Sequence, residues 1–94
     1  MATFTVTSVI DGDTFEISPS WQWNGQTGNR VRPAGYDTPE LSQFGWQAAR
    51  EKLSRLILGR EVELGNAYEV DRGRLVCEVY FHGQNLADYF PRNR

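Results

Sequence analysis

A single cysteine in 94 residues excludes a disulfide within the chain. One histidine, His82, and one cysteine, Cys77, also cannot assemble the nitrogen and sulfur set that zinc prefers. Cys77 therefore reads as a buried thiol on a strand. Lysine is almost missing: Lys52 is the only one, the remaining cationic side chains are arginines, and the formal net charge is −2. That balance lacks the broad basic surface with which a nucleic-acid coat displaces counterions. An anionic substrate must instead be held by a few placed arginines or by a bound cation. No run is long and apolar enough to span a bilayer, and the N-terminus has neither the basic region nor the apolar segment of a signal peptide. The expectation is a soluble chain without a membrane partner, its cellular compartment unspecified. Repeats, low-complexity tracts and interdomain linkers are missing too, so one domain over residues 1–94 is expected.

What is present is aromatic and rich in turn formers. Apolar residues make up 39% and aromatics 13%, enough for a globular core that Trp21, Trp23 and Trp46 enlarge. Thr3 to Ile10 alternates, with Phe4, Val6 and Ile10 on one face, which predicts a strand. Asp11-Gly12 turns the chain into a second strand, Thr14 to Ser18. The turn-rich segment Pro19 to Asn29 follows, its strongest hairpin signal at Asn24-Gly25. Trp21 and Trp23 within it are either a hydrophobic cap or a stacking platform. A third strand runs from Arg30 to Tyr36, with Pro33 arguing for an edge or a bulge. Trp46, Ala49, Leu53, Leu56 and Ile57 recur at three and four and mark one amphipathic helix, ended by Gly59. Arg60 to Leu64 and Arg74 to Phe81 alternate again, and Arg74 has the parity opposite to Cys77. A short helix over Asn85 to Phe90 completes the pattern, stopped by Pro91. Five short strands with a helix between the third and fourth predict a mainly β, α+β fold of the OB-barrel type. A split sheet with a helix on one face fits the order nearly as well.

Two turns offer acids: Asp13 after the first strand, and Asp37 and Glu40 after the third. If the turns share a rim, Asp13, Asp37 and the Thr38 carbonyl are suitable ligands for calcium, which accepts roughly six to eight oxygens. Taken one at a time the same residues are ordinary. Asp11-Gly12-Asp13 reads as a turn, the Asp37 to Glu40 run as a helix-capping loop, and Arg32 and Arg74 as strand arginines on a solvated face.

Taken together they resemble the staphylococcal nuclease (thermonuclease) family. Val9-Ile10-Asp11-Gly12-Asp13-Thr14 looks like its first signature, Arg32-Pro33-Ala34-Gly35-Tyr36-Asp37-Thr38-Pro39-Glu40 like its second, and Asp71-Arg72-Gly73-Arg74 like its third. The segments follow the family's order and cover nearly the whole chain. The resemblance implies a calcium-dependent endonuclease acting on single-stranded or locally melted DNA and RNA with little sequence preference. It makes Asp13 and Asp37 direct calcium ligands with the Thr38 carbonyl beside them, and Asp11 an outer acid acting through water. Glu40 matches the carboxylate that orients or deprotonates the attacking water, and Arg32 and Arg74 match the arginines on the scissile phosphate. Pro33 and Tyr36 stand where aliphatic residues are commoner, and the third signature lacks the aromatic before its glycine. The chain is also shorter than the family beyond Phe90, which implies lower stability or an apolar C-terminal surface open to self-pairing; a monomer is the expectation. Family members are often secreted. The alternative carried alongside is an OB module of weak or no activity that binds nucleic acid or protein.

Overall fold

A computed structural model describes residues 3–39 and 43–90. Strands β1 (Thr3–Asp11), β2 (Thr14–Trp23) and β3 (Gln26–Pro33) precede helix α1 (Trp46–Ile57). Strands β4 (Glu61–Asp71) and β5 (Arg74–Phe81) follow, then a two-residue strand β6 (Gln84–Asn85) and a 3-10 turn (Leu86–Tyr89). The sheet order is β3-β2-β1-β4-β5-β6, and a parallel pairing of β3 with β5 closes the five long strands into a barrel. This is the predicted OB-type architecture, and the split sheet is not formed. No helix among the described residues is long and apolar enough to cross a membrane.

Alternation along β5 is unbroken, so Leu75, Cys77, Val79 and Phe81 enter the core while Arg74 takes the other face. Cys77 is fully buried, and burial pushes its thiol up to about 12, which makes it inert. In β1 the register shifts between Val6 and Ser8. The extra residue reverses the parity beyond it, so Val9 rather than Ile10 joins Val6 in the core. The expectation for Ile10 is thus corrected by a bulge.

The segment after Ser18 is strand rather than loop. Strand β2 runs on to Trp23 and β3 starts at Gln26, joined by Asn24 and Gly25 at φ 52° and 77°, the two positive values of a type I′ hairpin. The ladder is irregular between Glu16 and Trp21, where Pro19 has no N–H to contribute. Trp21 is buried, donates from Nε1 to the Arg30 carbonyl at 2.8 Å, and is a cap on the barrel rather than a platform. A Cβ at Gly28 would lie 2.8 Å from the Trp21 ring, so the indole covers bare backbone there.

Strand β3 ends at Pro33, short of the predicted Tyr36, and the Ala34 amide bonds the Cys77 carbonyl at 2.7 Å. Strand β4 continues seven residues past Leu64, with register shifts at Ala67 that hide its period. Helix α1 buries Leu53 and Ile57 against the barrel. Gly59, at φ 78°, ends it, and the Gly59 amide bonds the Val6 carbonyl at 2.9 Å, which fixes the helix end to β1. The N-cap is Gly45, so Asp37, Thr38 and Pro39, the described part of the expected capping run, do not cap this helix. Leu86 and Phe90 are buried at the C-terminal end.

Candidate active site

The Asp11-Gly12-Asp13-Thr14 turn closes the β1–β2 hairpin, and the Asp11 carboxylate accepts the Asp13 amide at 3.1 Å. That local bond, favoured by aspartate at a turn, folds both acids inward. Asp11, Asp13 and Thr14 are the buried polar residues among those described. Burying an ionised carboxylate is costly unless partners compensate. Burial accordingly raises the Asp13 carboxyl to about 6, helped by the hydrogen bond to Asp11 and by its charge, while Arg32 and Arg74 pull the other way.

A second turn meets the first. After β3, Gly35 takes φ 102°, and Tyr36 turns inward to donate its hydroxyl to the Gly12 carbonyl at 3.0 Å. Its ring stacks on Phe90 with centroids 4.3 Å apart. Burial raises the phenol above its ordinary range, so Tyr36 stays a hydrogen-bond donor. A Cβ at Gly12 would lie 2.4 Å from Thr38 Oγ1 and 2.7 Å from the Ala49 Cβ. Only glycine lets the first turn, the second turn and α1 come this close. Arg50 of α1 adds a hydrogen bond to the Val9 carbonyl at 3.3 Å.

The arginines fill the space between. Arg32 Nη2 lies 3.4 Å from Asp13 Oδ2 and hydrogen-bonds Asp37 Oδ1, so one nitrogen touches acids from both turns. Arg74 Nη1 donates to Thr14 Oγ1 at 2.9 Å, while Nη2 reaches Asp71 Oδ2 at 3.0 Å. The parallel register pairs Arg30 with Arg74 and Arg32 with Val76, which brings both guanidinium groups to the same rim.

Of the residues the sequence singles out, Asp11, Asp13, Arg32, Asp37, Thr38 and Arg74 are thus gathered here. Glu40 lies outside the described residues. Three further residues escaped the sequence reading as site components. Thr14 and Asp71 hold Arg74, and their positions beside Asp13 and three residues before Arg74 were the available signals. Tyr36 pins the two turns together, and nothing in its strand-like context announces that.

Asp13 Oδ1 and Thr38 Oγ1 are buried without a hydrogen-bond partner among the described residues. Orphaned oxygens of this kind, together with the Asp37 carboxylate, match the all-oxygen chemistry of a hard divalent cation. The described residues contain no cluster of three histidine, cysteine or acidic side chains that makes a complete cage. Hydroxyl, backbone and water oxygens would have to supply the rest. A cavity of about 300 Å³ opens beside the site between Asp37, Thr38 and Lys52, with Phe90 among its walls.

No family model matches the chain. It is similar to the "Probable endonuclease LCL3" of Coccidioides posadasii (strain C735), with 38% identity over an alignment of 99 positions that covers 80% of this chain. It is also similar to an "Uncharacterized 38.1 kDa protein" of Capnoides sempervirens, 37% identical over 60 positions and 63% of this chain. The chain spans 32% and 18% of the lengths of these relatives. The first similarity, taken with the five-stranded barrel, is consistent with a staphylococcal nuclease-like fold.

Proposed function

We propose that this chain is a calcium-dependent endonuclease domain of the staphylococcal nuclease family. It would hydrolyse phosphodiester bonds of single-stranded or locally melted DNA and RNA. The observation that carries this reading is the convergence of acids from two distant turns on one Arg32 nitrogen, with Arg74 held at the same rim. Similarity to a protein named as a probable endonuclease supports it.

Asp13, Asp37 and the Thr38 oxygens would hold the cation, with Asp11 supporting Asp13 from behind. When bound, such an ion lowers the pKa of water and polarises phosphoryl oxygens. Arg32 and Arg74 present fork-shaped donors to the phosphate, and these strengthen as negative charge builds on its equatorial oxygens. Lysine would offer a point charge without that geometry. Glu40, next after Pro39, is assigned the orientation or deprotonation of the attacking water.

The test is digestion of a single-stranded DNA oligonucleotide by purified protein. Cleavage with calcium, stopped by EDTA, is expected. A second reading, a binding module of little or no activity, draws on the net charge of −2 and on both arginines being engaged with internal acids. Folded, calcium-supplied protein that retards the oligonucleotide in a gel without cutting it would replace the first reading with the second.

A further inference from the structure

We propose that Arg32 and a divalent cation compete for Asp13 and Asp37, so that cation binding requires Arg32 to leave the pair and frees its guanidinium for phosphate. This rests on the metal-dependent reading above and adds a moving part to it. The geometry that points to it is the position of a single atom. Arg32 Nη2 is 3.4 Å from Asp13 Oδ2, a carboxylate whose side chain is 3% exposed, and it is bonded to Asp37 Oδ1, whose side chain is 65% exposed. The nitrogen therefore stands at the mouth of the acid pair, between its buried and its open member. A cation bridging the same two carboxylates, with ligand distances of about 2.3 to 2.6 Å, needs the space this nitrogen fills. Two positive charges at such range also repel strongly in a partly buried site.

The two arginines differ in how they are held. Arg74 is fastened by Thr14 Oγ1 at 2.9 Å, Asp71 Oδ2 at 3.0 Å and the Asp71 carbonyl at 3.4 Å, and none of these is a proposed ligand. Among the described residues Arg32 has, besides the two acids, one hydrogen bond at 3.2 Å to the carbonyl of its own neighbour Pro33. When the acids turn to a cation, Arg32 loses its main anchors and Arg74 loses none. Arg32 is then the mobile arginine and Arg74 the fixed one. The resting role of Arg32 is electrostatic, because without it Asp13 would face Asp11 and Asp37 with Arg74 as the one remaining opposing cation among the described residues.

Calorimetric titration of calcium chloride into metal-stripped full chain tests this. Arg32→Met should bind calcium about tenfold more tightly than the parent, a coupling of ordinary size for two competing ligands. Its metal-free form should melt at a lower temperature. Arg74→Met should change calcium affinity by no more than about twofold. In the parent chain the nitrogen-15 resonance of the Arg32 Nε–H should shift on calcium addition while that of Arg74 stays. An Arg32→Met protein with a native circular dichroism spectrum and unchanged or weaker calcium affinity would overturn the competition. If that variant does not fold, a stationary Arg32 resonance during saturation of the parent overturns it equally. Should the parent bind calcium and cut DNA while either of these negative results holds, the competition alone fails. A parent that neither binds calcium nor cuts DNA removes the functional reading as well.

Discussion

Asp13 carries an electrostatic cost that the arginines beside it only partly offset. Its folded carboxyl is raised from the ordinary 3.8 to about 6, with burial as the leading cause. Protonated Asp13 is therefore tolerated by the fold, and the ionised form is disfavoured. Between about pH 4 and 6 the folded state holds the proton more tightly than the unfolded chain, so stability falls as pH rises through that window. Above it the full cost is present. Asp13→Asn should remove that cost while losing a proposed cation ligand. In EDTA at pH 7.5 the variant is expected to melt roughly 5 °C higher, the size of a change of about 1 kcal/mol in a domain this small. The gap should close as the pH approaches 4. Equal melting temperatures at both pH values, read by circular dichroism, would show that Arg32 and Arg74 already neutralise the acid.

The two turns function as one element because of what is missing at position 12. A methyl group there would strike Thr38 Oγ1 and the Ala49 Cβ, the latter at 2.7 Å, closer than side-chain atoms approach without something shifting. Gly12→Ala is expected to cost about 1 to 3 kcal/mol as an overpacked contact and to part Asp13 from Asp37. Cleavage rates should drop more than tenfold. Gly25→Ala is the control, since nothing lies within 4 Å of its added methyl at the far hairpin tip. It should cost about 1 kcal/mol for its positive φ and leave the cleavage rate unchanged. Similar rates for Gly12→Ala and the parent would show that turn contact does not set the site. The sequence disclosed this element only in part. Asn24-Gly25, the helix stripe and the alternation of β5 were legible because each obeys a local rule. The Arg72-Gly73 and His82-Gly83 turns share the positive φ pair of Asn24-Gly25, but arginine and histidine do not advertise it. Bulges in β1 and β4 erased the two-residue period, and so hid the burial of Val9 and the length of β4. The acids were legible as a set only through the order of three signatures. That Tyr36, Thr14 and Asp71 hold the set in place is a property of the closed barrel, which no local pattern encodes.

Closure matters to the whole molecule because it decides where the few useful positive charges stand. The chain carries a formal charge of −2, yet the parallel β3–β5 seam brings Arg32 and Arg74 to one rim. Most of the surface should therefore repel a nucleic acid weakly, and attraction should come from these two side chains and the proposed cation. Each phosphate neutralised on a single strand contributes a slope of about −0.7 to the logarithm of affinity against the logarithm of salt concentration. Two arginine contacts then predict a slope of roughly −1 to −2 for kcat/KM on a single-stranded oligonucleotide between about 50 and 200 mM potassium chloride at saturating calcium. Arg74→Met should reduce that slope by close to one phosphate's share as well as lowering the rate. A slope several times steeper would mean that many more phosphates are engaged. Arginines outside the site, such as Arg55 on α1 and Arg30, which pairs with Glu16, would then have to be part of a longer binding track.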